Sequence, residues 1–210
     1  MKKFFLHEPK IGSYEKKEVL KCLNTGWISP GGDNVIKFEK EISKLTNLKS
    51  ILTNSGTSAL HLSLILAGLK SEEEVVVPSI TFIATINVVL YLGGKPIFFD
   101  NNEDNLNIDI KKIFKFLKEN TYTTNKGTFN RKTKKRIRAI IVTHVFGNIM
   151  NLKELKNFLR NKKIKLIEDA AEAVGSFNLE GEHAGSFGDY GILSFNVNKV
   201  VTTASGGALM

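Results

Sequence analysis

The sequence predicts an α/β domain built on a mainly parallel sheet with helices on both faces, and three observations carry that prediction. Short apolar runs alternate with stretches of helical period along the chain. Most of those runs are β-branched and apolar on both sides, as strands buried under helices must be. The composition is globular: 42% hydrophobic and 24% charged, with four prolines in 210 residues. That balance excludes intrinsic disorder, and a single cysteine, Cys22, excludes a disulfide scaffold. No run approaches the roughly 18–20 consecutive apolar residues of a membrane helix. The opening MKKFFLHEPK starts like a secretory signal, but its apolar run stops at Leu6, so the chain reads as cytoplasmic with no membrane partner.

Taken in order, a helical pattern over 13–23 leads through Asn-Thr-Gly into a loop at 27–34. A strand at 50–53 is followed by a helix at 57–68, a strand at 75–77 by a helix at 82–92, and a strand at 96–99 by a helix at 108–119. Then come a strand at 139–143, a helix at 152–161, and strands at 165–168 and 192–195. Asp109 and Asn151 stand where helix-starting caps are expected, and Gly68 and Gly93 where helices stop. There are no repeats and no low-complexity linker. In such sheets ligands bind beyond the carboxyl ends of the strands, which directs attention to those ends.

The formal net charge of +9 is local. Residues 126–138, KGTFNRKTKKRIR, hold seven basic residues and no acidic one, and without them 23 basic face 21 acidic residues. The segment reads as a solvated loop with a lysine-rich rim, or as an attractor for a phosphate-bearing substrate, and no nucleic-acid partner is expected.

Three strand ends carry candidate chemistry. After the first strand, Asn54-Ser55-Gly56-Thr57-Ser58 opens an apolar helix, which suits a phosphate at the helix N-terminus; equally, Ser55 or Thr57 only caps the helix. Asp169 ends the strand at 165–168 and is followed by Ala170-Ala171-Glu172, so it reads as a ligand-facing carboxylate or as a helix cap. Lys199 follows Ser194-Phe195-Asn196-Val197-Asn198, and reads as an amine nucleophile toward carbonyls or as a snorkelling surface lysine. His144 reads as a core hydrogen-bonding residue. Cys22 reads as buried packing with no partner for a disulfide or a metal.

Together, a phosphate seat, a carboxylate for a pyridinium nitrogen and a Schiff-base lysine are what proteins contribute to pyridoxal 5'-phosphate (PLP) chemistry. The stretches GWISPGG with FEKEI, NSGTSALH, PSITFIAT, GGKPIFFD, HVFGN, IEDAAEAVGS, GSFGDYG and SFNVNK, in that order, resemble the DegT/DnrJ/StrS family of PLP-dependent nucleotide-sugar aminotransferases. The resemblance looks closest to the branch acting on UDP-linked 4-keto-6-deoxy-N-acetylglucosamine, which feeds bacillosamine and legionaminic acid synthesis. It implies the large domain of PLP-transferase fold type I over 1–210, with 1–34 contributing the GWISPGG loop. Lys199 then matches the Schiff-base lysine and proton shuttle, and Asp169 the partner of the pyridine nitrogen. Gly56, Thr57, Ser58 and Ser194 match the phosphate site, Phe82 the aromatic residue on the ring, and Glu172 a neighbour of the phenolic oxygen. Without the family, Phe82 reads as core. Trp27 and Ser29 fall in a loop placed near the active site, with a packing anchor as the other reading of Trp27.

The implied reaction moves an amino group from glutamate to the 4-keto sugar in a homodimer. The lysine at 199 favours transamination over the family's dehydratase branch, which has histidine there. By the same resemblance the chain covers only the first half of the family's length, so a C-terminal domain is missing and the last strand, 207–210, is cut short. The expectation is a marginal fold with poor turnover. A non-catalytic PLP or nucleotide-sugar binding remnant is the alternative, and retention of Lys199 with Asp169 and Ser194 argues against it.

Overall fold

Five adjacent parallel strands form the bulk of one sheet in the computed structural model, which describes residues 9–29 and 31–210. The first eight residues, including the apolar start to Leu6, and Pro30 of GWISPGG lie outside the described residues. The strands are β1 (Ile51–Thr53), β2 (Glu74–Pro78), β3 (Lys95–Phe99), β4 (Thr121–Thr124), β5 (Gly127–Asn130), β6 (Arg136–Thr143), β7 (Lys165–Asp169), β8 (Tyr190–Ser194) and β9 (Gly207–Leu209). Their order is β1-β9-β8-β7-β6-β2-β3, with β5 pairing the start of β6 and β4 pairing β5.

The pleat sorts the apolar runs to two faces. Val75 and Val77 of β2 and Ala139 and Ile141 of β6 share one core with residues of α3 (Gly56–Leu66) and α4 (Ala84–Tyr91). Val76, Ile140 and Val142 share the other with α5 (Ile110–Glu119) and α6 (Lys153–Arg160). Further along that face, Ile42 of α2 (Asp33–Thr46) packs with Leu193 and Ala208. Asp109 caps α5 by accepting from the N–H groups of Lys111 and Lys112 at 2.9 and 3.2 Å. The Asn151 side chain accepts from Lys153 N–H at 3.2 Å. Gly68 and Gly93 follow their helices at φ of 75° and 70°, where a Cβ is disfavoured.

The structure corrects four expectations. Residues 126–138 are not a loop: β5 and the start of β6 pair antiparallel within them, with Thr128, Asn130 and Ile137 buried, so counting charge alone hid a β-hairpin. Residues 33–46 form a helix to which the sequence pattern assigned no element. Cys22 is half-buried, because α1 (Ser13–Thr25) buries none of its residues; Asn34 Nδ2 donates to its Sγ at 3.3 Å. Finally, the short β9 is paired on both sides. It runs antiparallel between β1 and β8, with Ala208 opposite both Leu52 and Leu193, and Met210 and Gly191 exchange both backbone hydrogen bonds at 2.9 and 3.1 Å. No helix among the described residues is long and apolar enough to cross a membrane.

Candidate active site

At the carboxyl edge of the parallel strands a cleft of about 440 Å³ brings together Gly56, Thr57, Phe82, Asp169, Glu172, Ser194 and Lys199. Its floor is a helix start. Between β1 and α3, Ser55 Oγ accepts from Ser58 N–H at 3.1 Å and lies 2.9 Å from the Ser58 hydroxyl. The first amides of α3 have no intrahelical acceptor, and the positive end of its dipole lies at the cleft. A Cβ on Gly56 would come within 2.8 Å of Ser194 Cβ, so glycine lets strand β8 bring its serine against the helix start. Gly207 has the same function from β9: its Cβ would lie 2.5 Å from Gly56 N. Ser58 is the one candidate of this set that the structure keeps off the lining, tied into the cap by Ser55.

Asp169 ends β7 and is buried. No helix follows it, which removes the cap reading; its Oδ1 accepts instead from Ala171 N–H at 3.2 Å and its Oδ2 from the Thr85 hydroxyl at 2.9 Å. Burial pushes its pKa above the ordinary carboxylate value, against those two bonds and the charges of Lys199 and His144. Thr85 continues through Thr81 (2.9 Å) to Thr143 at the end of β6 (3.0 Å), a hydroxyl ladder that fixes one wall.

Lys199 is not a snorkelling surface residue. Its side chain is 12% exposed and its Nζ lies 3.2 Å from Glu172 Oε1 and 6.0 Å from the Phe82 ring centre. Glu172 Oε2 also accepts from Phe146 N–H at 3.2 Å, so the carboxylate is held from two sides. Phe82 is not core: it precedes α4 and is 69% exposed over the cleft. Trp27 and Ser29 do not reach this cleft. They line a separate hollow between α1 and α2, and Trp27, 61% exposed, is no packing anchor. His144 makes core hydrogen bonds, as expected, to Glu168 at 2.8 Å and from Met150 N–H at 3.2 Å.

The sequence reading missed Thr85, Thr81, Thr143 and Phe146. Thr85 left one signal, a hydroxyl in a largely apolar helical stretch, which points to a buried partner. Phe146 left none, because its left-handed backbone (φ 52°) is set by the turn around it.

Residues 9–210 match the sequence profile of the DegT/DnrJ/EryC1/StrS aminotransferase family. GDP-perosamine synthase from Caulobacter vibrioides is 35% identical over 202 residues, covering 96% of this chain and 50% of the relative. Among solved structures, a DegT DnrJ EryC1 StrS aminotransferase from Brucella abortus superimposes with a TM-score of 0.82 at 27% identity, over 93% of this chain and 50% of its own. The PMP form of Spr1654 from Streptococcus pneumoniae gives 0.83 at 26% identity, over 99% and 52%. The chain spans about half the length of the relatives it matches.

Proposed function

The chain belongs to the DegT/DnrJ/EryC1/StrS aminotransferase family, and from that premise we propose that it supplies the PLP-binding half of an enzyme moving an amino group from glutamate to a 4-keto-6-deoxy nucleotide sugar. One observation carries the reading: a half-buried lysine, a buried carboxylate with a raised proton affinity, an exposed aromatic ring and a helix N-terminus share one cleft. The cleft fits the cofactor. Asp169 is a desolvated acid that lacks a full cationic partner, Gly56 and Ser194 leave a bare helix start for a phosphate, and the Phe82 face is open to a planar ring.

When bound, the cofactor supplies the aldehyde that carries the amine and the electron sink for the carbanion. The chain's own residues do the rest. Asp169, held by Thr85 and Ala171, would be the carboxylate to pair with the cofactor's ring nitrogen and favour its protonated form. Lys199 Nζ takes a proton from the substrate carbon and returns one, and Glu172 holds that ammonium in place between transfers. Phe146 N–H keeps Glu172 aimed. In this reading the full-length enzyme works as a homodimer.

The phrase SFNVNKVVTT and the basic stretch before Ile140-Ile141-Val142 support a UDP-linked substrate. A GDP-linked sugar is the second reading, favoured by the match to GDP-perosamine synthase. The test is a visible absorbance titration with PLP, then borohydride reduction and peptide mass spectrometry. A saturable band and a phosphopyridoxyl adduct on Lys199, both absent in Lys199→Ala, are expected. A folded chain with neither sinks the proposal. Glutamate with the UDP- and GDP-linked ketosugars in parallel then separates the two substrates.

A further inference from the structure

The opposite edge of the sheet carries a second cleft. Because β6 and β7 are parallel, their starts at Arg136 and Lys165 lie away from Thr143 and Asp169, about 23 Å off along β6. A hollow of about 440 Å³ opens there, a volume within the roughly 300–1,000 Å³ typical of small-ligand sites. Its charged lining is Arg136, Arg138, Lys156, Arg160, Lys163 and Lys165 against the single carboxylate of Asp189, net plus five.

Two of these cations already have acids. Arg138 makes a fork to Glu73 at 2.8 and 2.7 Å, and Lys165 lies 3.1 Å from Asp189. The other four have none within ion-pair distance among the described residues. Lys156 and Lys163 donate only to the carbonyls of Gly188 and Asn125, which are neutral. Arg160 is exposed. Arg136 is the most telling. Its Nε is buried with no hydrogen-bond partner, and both burial and the like charge of Arg138 work against its cationic form. Its place is built into the hairpin: a Cβ on Gly127 would lie 2.5 Å from that Nε, so the guanidinium rests on bare backbone. A cation held in a cleft without its counter-charge is a binding element in search of an anion.

We propose that this cleft binds a compact anion of two or three linked phosphate groups, gripped by Arg136, Lys156, Arg160 and Lys163. Four uncompensated cations match such an anion and exceed a single phosphate. Guanidinium forks are suited to its oxygens. No aromatic side chain lines the hollow, so it reads phosphates and not a stacked base. Of the basic segment 126–138, Arg136 and Arg138 line this edge, remote from the candidate active site, and the proposal stands whether or not that site binds PLP.

The test titrates the isotope-labelled protein with inorganic tripolyphosphate, following amide shifts and binding heat. One saturable event is expected, with shifts at Arg136, Lys165 and Gly188 and none at Gly56–Ser58. Arg136→Gln and Arg160→Gln should each weaken it about tenfold, the worth of one charge-assisted contact. Because Arg160 is exposed, its variant stays informative even where the Arg136 change harms folding. A second arm sediments the protein with phosphatidylglycerol vesicles to separate a lipid headgroup from a free anion. Vesicle binding without tripolyphosphate binding, shifts confined to the helix start at Gly56, or affinity unchanged in Arg160→Gln would each overturn the proposal.

Discussion

Glu168 and Asp169 are neighbours on β7 and both are buried, yet the pleat turns them to opposite faces and the protein surrounds them differently. Glu168 accepts from His144 Nε2 at 2.8 Å and from the N–H groups of Gly185 (3.0 Å), Phe187 (2.6 Å) and Gly188. Met150 N–H donates to His144 Nδ1, which leaves the proton on Nε2 for Glu168. Asp169 has only the Thr85 hydroxyl and Ala171 N–H, and its remaining capacity faces the cleft with Lys199. A buried acid whose oxygens are all used ties loops to a strand; one left under-supplied is poised for a cation that arrives with a ligand.

The comparison breaks most easily at Glu168. Glu168→Ala strands four donors in the core, and losing one partner of a buried polar network costs about 3–5 kcal/mol. That is a large share of a typical 5–15 kcal/mol. Urea denaturation should report it; a loss below about 1 kcal/mol would remove the architectural role.

Asp169→Asn should do the opposite. A folded-state pKa raised by burial gives stability that is complete below the ordinary value of 3.8 and is lost as pH rises through the folded value. Without cofactor, the asparagine variant should therefore be the more stable at neutral pH, with the gap closing below about pH 3.8. With PLP the order should reverse, since the variant loses a charged contact worth about ten- to a hundredfold in affinity. Thermal unfolding against pH, with and without PLP, reads both signs.

The same contrast explains what the sequence disclosed. Asp169, Lys199 and the Gly56 turn were legible because each is a chemical type at a strand end, and the strands were legible from β-branched runs. The saturation of Glu168 was not, since three of its donors are backbone groups of a loop with no periodicity. The β5–β6 hairpin was hidden behind the charges of 126–138, and α2 behind a loop signal from Gly31-Gly32. Arg136 was visible as charge but not as an unpartnered guanidinium, because Glu73, which neutralises its neighbour Arg138, is more than 60 residues away in sequence.

A smaller change sharpens the Asp169 side. Thr85→Val keeps volume and removes one of its two donors, so that face becomes poorer still. The stability cost should be about 1 kcal/mol, the net worth of one hydrogen bond. PLP affinity should fall only severalfold, because the carboxylate itself remains. A loss as large as that of Asp169→Asn would mean that Thr85 positions the acid and does not merely satisfy it.

The smallest effect lies where the cleft holds backbone strain. Phe146, 76% exposed, sits at φ 52° and ψ 28°, a region that costs a non-glycine residue on the order of 1 kcal/mol. That conformation aims Phe146 N–H at Glu172, which in turn meets Lys199. Phe146→Gly keeps the N–H and relieves the strain, with part of the gain lost to the freer unfolded chain. The variant should be more stable by about 0.5–1 kcal/mol and should still bind PLP through Lys199, with weaker retention from the lost cleft wall. A variant less stable than the wild type would show that the ring packs for stability, and the left-handed turn would then belong with Glu168 as architecture.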